Sequence, residues 1–118
     1  MPEKLPVIPD ATIVARLQKE LPGWTYENGW IRRKYATDGW PATLMLVNAI
    51  GFLSEAAWHH PDLEVTWGKL WVKLKTHASG GITERDFALA LEIDRFALWR
   101  PTPGSAMEGT PNAWIRAK

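Results

Sequence analysis

The chain carries three histidines, His59, His60 and His77, all between Glu55 and Asp86 in the stretch EAAWHHPDLEVTWGKLWVKLKTHASGGITERD. Imidazole ordinarily titrates near pH ~6.5, so it is the side chain that both gives and takes protons around neutrality. His59 and His60 close a long apolar segment and are stopped by Pro61, while His77 ends an alternating segment further on. Adjacent residues at a helix end point in different directions, so only one of the pair need face His77 closely. Spacing alone leaves three readings open. The imidazoles form an acid/base site without metal. Alternatively Glu55, His59 and His77 hold a divalent metal, since Glu and His at i and i+4 can chelate. In the third, an exposed His-His pair before a proline has no chemical role.

Other chemistries find little support. There is no cysteine, so disulfides, thiolate metal sites and a thiol nucleophile are ruled out. No serine sits in a nucleophile elbow. Gly80-Gly81 lacks both the spacing and the lysine of a phosphate-binding loop. Phosphoryl transfer, nucleotide-dependent redox and covalent acyl transfer are therefore unsupported. Proton transfer on a small molecule remains, as in an elimination, isomerisation or hydration.

The elements that must position these residues follow from periodicity. Residues 1–9 hold three prolines and read as an extended lead-in. Asp10 offers an N-cap for a helix over Ala11–Leu21, with Ile13, Leu17 and Leu21 at helical spacing and Pro22-Gly23 as its stop. Trp24–Glu27 and Trp30–Ala36 flank Asn28-Gly29, the strongest short hairpin signal. Arg33 shares a face with Ile31 and Tyr35, which places this strand at an edge or an interface. Ala42–Trp58 is apolar almost all round and reads as a buried helix, with Asn48, Glu55 and His59 as its polar stripe. Leu63–Trp67 and Leu70–His77 alternate about Gly68, a second hairpin with His77 on the side away from the leucines. Thr83 to Asp86 forms a capping box for a helix reaching about Phe96. The expected fold is α+β, in the order α-β-β-α-β-β-α, with a four-stranded antiparallel sheet and three helices on one face.

Length and composition set the frame. The 118 residues suit one domain, 1–118, with an ordered tail over 99–118 held by Trp114. The net charge of +1 gives no reason to expect nucleic acid, and the cluster Lys69, Lys73, Lys75 is too small to change that. No apolar run reaches the ~20 residues of a membrane span, and MPEKLPVIPD lacks the features of a signal peptide, so a cytoplasmic location is expected. Eight tryptophans suggest an indole-rich core.

The motif carries a family resemblance. Three residues separate Glu55 from His59-His60-Pro61, five separate Pro61 from Trp67, nine separate Trp67 from His77, and eight separate His77 from Asp86. In this pattern and in element order, Ala11 to Phe96 resembles the pterin-4a-carbinolamine dehydratases, also called 4a-hydroxytetrahydrobiopterin dehydratases; the Trp99 to Lys118 tail lies outside it. The resemblance implies dehydration of a 4a-hydroxytetrahydropterin to quinonoid dihydropterin in tetrahydrobiopterin recycling, with no metal and no organic cofactor. It implies that His59, His60 and His77 are the acid/base group, with His60 and His77 the more intimate pair. Asp86 would orient an imidazole, cap a helix, or do both. Glu55 would bind the pterin's guanidine-like edge or support His59, and Trp67 would pack on the ring or in the core. A dimer or tetramer is implied, serving an aromatic amino acid hydroxylase. The alternative it brings is a non-catalytic dimerisation or assembly role, as in relatives that assist a homeodomain transcription factor. Retention of all three histidines favours the enzyme.

Overall fold

The computed structural model describes residues 5–109 and 114–117. Its elements are α1 (Asp10–Glu20), β1 (Thr25–Glu27), β2 (Trp30–Thr37), α2 (Trp40–Ala57), β3 (Asp62–Val65), β4 (Lys69–Leu74), α3 (Glu84–Ala97) and β5 (Ile115–Arg116). The sheet is antiparallel in the order β1-β2-β4-β3, and β5 is added beside β2. Ile31, Tyr35, Leu70, Val72 and Leu74 face the helices and are fully buried against Ile13 and Leu17 of α1, Leu46 and Ile50 of α2, and Phe87, Ala90 and Ile93 of α3. Each fully buried aliphatic side chain contributes about 1.5–3 kcal/mol, so this one layer holds the fold. The α+β reading and the element order stand.

Several local expectations change. Pro9, not Asp10, occupies the N-cap of α1; Asp10 is the first helical residue, where its carboxylate accepts from the Tyr26 hydroxyl at 3.0 Å. β2 is an inner strand, so Arg33 marks neither an edge nor an interface. Its guanidinium lies on the buried side and is neutralised by Asp94 of α3 at 3.2 Å. Asp94 also accepts from Trp24 Nε1 at 3.1 Å and from the Tyr35 hydroxyl, a hub that locks α3 to the sheet. Gly23 lies beside it: a Cβ there would stand 2.2 Å from the Arg33 guanidinium, so a larger residue would have to displace that side chain.

The indole-rich core is not found. Of the eight tryptophans Trp24 alone is buried; Trp30 and Trp71 are half-buried, and Trp40, Trp58, Trp67, Trp99 and Trp114 are exposed. Aliphatic side chains fill the interior instead. Helix α2 is likewise not enclosed: Leu46 and Ile50 point inward, but Phe52 is 73% exposed and Met45 54%. An all-round apolar helix in this layer has one face left over. At its described end the tail is tied by backbone pairing. Ile115 and Arg116 pair with Thr37 and Ala36, where β1 no longer covers β2, and Asp38 N–H donates to the Trp114 carbonyl at 3.0 Å. Among the described residues no helix is long and apolar enough to cross a membrane.

Candidate active site

The spacing of the motif walks down one strand and back up the next. β3 and β4 pair with Asp62 opposite Lys73 and Val65 opposite Leu70, so residues just before β3 and just after β4 meet at one end of the hairpin. His59 and His60 precede β3; His77 follows β4, in a single 3-10 turn. Trp67 does not join them. It lies in the connecting turn at the far end of β4, a strand about 20 Å long at 3.3 Å per residue, with its exposed ring against Gly39 and its carbonyl accepting from the Thr43 hydroxyl.

Helix α2 ends at Trp58, whose φ of 50° and ψ of 47° place it in the left-handed region. The His59 N–H then reaches back to the Ser54 carbonyl at 3.1 Å, closing the helix end in the manner of a Schellman turn. Arg85 donates to the Ala57 and Trp58 carbonyls at 2.8 Å, a cation where the helix dipole is negative. This reversal sends the two histidines to different partners.

His59 turns inward. Its Nε2 lies 2.6 Å from Oδ1 of Asp86, which is completely buried. The other oxygen of Asp86 accepts from the Thr83 N–H at 2.9 Å and the Thr76 hydroxyl at 2.8 Å. The donors order themselves. Arg85 N–H donates to Thr83 Oγ1, and Thr83 Oγ1 lies 2.7 Å from Thr76 Oγ1, so Thr83 gives its proton to Thr76 and Thr76 gives its own to Asp86. Since Asp86 accepts from the Thr83 N–H and the Thr76 hydroxyl at one oxygen, its other oxygen also acts as an acceptor, which holds a proton on His59 Nε2. Asp86 thus caps α3 and orients an imidazole with its two oxygens.

His60 turns outward, with Nε2 2.7 Å from Oε1 of Glu55 and its ring edge-on to Trp58 at 5.2 Å. The carboxylate expected beside His59 therefore supports His60 instead, because His59 lies past the helix end. No group of three or more His, Cys, Asp or Glu among the described residues is arranged to hold a metal ion, and the set Glu55, His59 and His77 is not assembled. His77 is exposed and sits edge-on to Trp30, with centroids 5.6 Å apart at 78°. It is joined to His59 through its neighbour Thr76 and Asp86. His59 borders a cavity of about 390 Å³ between α2 and α3, with Arg85 and Glu92; His60 borders a separate one of about 250 Å³ with Glu55 and Leu63.

Sequence reading missed Thr76, Arg85 and Trp30. Thr76 left one signal: it falls on the leucine side of its strand, and a hydroxyl buried there needs a partner. Trp30 left none, since only pairing of β2 with β4 brings it to His77.

A family profile described as Pterin 4 alpha carbinolamine dehydratase matches residues 6–96. A protein of Aquifex aeolicus (strain VF5), provisionally named a pterin-4-alpha-carbinolamine dehydratase, is 51% identical over 81 residues, covering 69% of this chain and 82% of its own. One of Roseiflexus sp. (strain RS-1), named in the same way, is 42% identical over 85 residues, covering 72% and 90%. A crystal structure of a transcriptional coactivator/pterin dehydratase from Brucella melitensis aligns with a TM-score of 0.69 at 20% identity, covering 75% of this chain and 96% of that one, a likeness of fold.

Proposed function

Because the chain belongs to the family of pterin 4 alpha carbinolamine dehydratases, we propose that it dehydrates a 4a-hydroxytetrahydropterin to the quinonoid dihydropterin, with His59, His60 and His77 as the acid/base group. In this step the C4a–O bond breaks and a C=N bond forms from a ring nitrogen. One imidazolium gives its proton to the departing hydroxide, which leaves as water, while a neutral imidazole takes the nitrogen's proton. Exchange with solvent then resets both histidines.

The observation that carries this reading is the His59–Asp86 pair. A completely buried carboxylate at 2.6 Å fixes the orientation of the ring through each cycle of proton transfer. His60 and Glu55 form a second, exposed imidazole–carboxylate pair, and Glu55 keeps an oxygen for the pterin's guanidine-like edge. His77 completes the set at the same end of the hairpin.

The role in the cell that fits is tetrahydrobiopterin recycling beside an aromatic amino acid hydroxylase, in the cytoplasm. We also propose a homo-oligomer, supported by the uncovered apolar side of α2 around Phe52 and Met45. A non-catalytic assembly role would use that same side and can coexist with catalysis. Freshly made 4a-hydroxytetrahydropterin, followed by ultraviolet absorbance, tests the enzyme directly. Decay faster than in buffer is expected; decay equal to buffer overturns the dehydratase reading and leaves the assembly role.

A further inference from the structure

The face of the sheet away from the helices bears on the substrate. β2 brings Trp30, Arg32 and Lys34 to it, and β4 with its extension brings Trp71, Lys73 and Lys75. In sequence these are two short basic stretches far apart. The pairing of Arg32 with Lys73 and of Lys34 with Trp71 merges them into one band. Acids stand only on the flanking strands, as with Glu27 beside Arg32 at 3.7 Å and Asp62 opposite Lys73.

The cations differ in how they are engaged. Arg32 lies over Trp71 at 4.2 Å and also meets Glu27. Lys73 and Lys75 both rest on Trp30, with ammonium groups 4.6 and 4.9 Å from the ring centroid, and among the described residues neither makes an ion pair. An ammonium on an indole face keeps its N–H donors open to a ligand. The same indole carries His77 at its edge. Two available cations and one family histidine therefore share one ring, although dehydration of a neutral pterin ring requires no cation there.

We propose that the pterin this chain acts on carries an anionic substituent, a phosphate or a carboxylate, held by Lys73 and Lys75 on the Trp30 shelf while the ring system lies at His77. This rests on the dehydratase reading and specifies its substrate class. Lysine binds either anion as a point charge, so the geometry selects charge rather than a particular group.

Three 4a-hydroxytetrahydropterins that differ only at position 6 test it: one with a hydroxymethyl group, one with its phosphate ester, and one with a p-aminobenzoylglutamate. At low salt the KM of the phosphate or the carboxylate substrate should lie roughly tenfold below that of the hydroxymethyl one at similar kcat, two exposed pairs contributing a factor of about three each. The arm with the lower KM identifies the anion. That preference should fall toward one in Lys73→Gln/Lys75→Gln and at high ionic strength. Equal KM values, or a preference that survives the double substitution, overturns the proposal. If no substrate decays faster than in buffer, the dehydratase reading fails instead. Tryptophan-fluorescence titration with 6-hydroxymethyl-7,8-dihydropterin and its phosphate ester then still decides the anion preference: tighter binding of the ester supports it, and equal binding refutes it.

Discussion

Asp86 holds His59 Nε2 at 2.6 Å with one oxygen while its other oxygen takes the Thr83 N–H that opens α3. The residue that starts a helix and the residue that orients a proposed catalytic ring are the same carboxylate. Stability and turnover are therefore coupled at this point, and substitutions can separate them.

Asp86→Asn should lower kcat by about 10²-fold with a smaller change in KM, because an amide N–H presented to His59 imposes the other tautomer. It should also cost about 1–3 kcal/mol of stability, since buried donors lose an ionised acceptor. Steady-state kinetics with a pH profile, set beside urea unfolding, reads both. Unchanged turnover in a folded variant would remove Asp86 from the mechanism.

Thr76→Val removes the hydroxyl that donates to Asp86 and takes from Thr83. A loss of about 1–2 kcal/mol in stability is expected, together with a several-fold fall in kcat. Thr76→Ser keeps the hydroxyl and should restore kcat; a serine variant no better than valine would show that the effect is packing alone.

Trp58 has a left-handed backbone at the turn that sends His59 inward. Trp58→Gly and Trp58→Ala both discard the indole, so their difference isolates the backbone. Glycine should be the more stable by about 1 kcal/mol in urea melts. Equal stability would show that the turn relaxes to another conformation.

Tyr35 predicts an alkaline limit. Burial first, and then the neighbouring charge of Asp94, push its phenol well above the ordinary tyrosine range. In the unfolded chain it titrates near ~10, so above that pH the unfolded state loses the proton more readily and stability falls as pH rises. Tyr35→Phe should be less stable at pH 7, where Asp94 loses a donor, yet show a shallower decline above pH ~10. Denaturant unfolding across that range checks it; parallel declines would mean that Tyr35 does not set the limit.

Phe52 is 73% exposed on α2. If that side mediates self-association, Phe52→Glu should shift the sedimentation mass toward monomer without loss of helicity. A monomeric parent protein would refute the oligomer outright.

Much of this molecule was legible in the chain. Local signals that depend on neighbours in sequence survived folding: Asn28-Gly29 turns the first hairpin, Thr83 and Asp86 close a capping box, and alternation from Leu70 marks a strand with its leucines inward. The His-His-Pro motif could be read too, because its spacing is the length of one hairpin. What failed were readings that treated residue type as destination. Eight indoles did not make a core, and Arg33 did not mark an edge, because a charge can be buried wherever a partner such as Asp94 waits on another element.

The pairing within the site was decided only in three dimensions. Helical spacing assigns Glu55 to His59, yet a left-handed residue at Trp58 ends the helix first and gives Glu55 to His60 and Asp86 to His59. Likewise Trp30 reaches His77, Lys73 and Lys75 only because β2 pairs with β4. Hydrogen bonds and ring contacts act over a few ångströms, and residues 27 apart, as His59 and Asp86 are, come that close only when the packed sheet and helices bring them there.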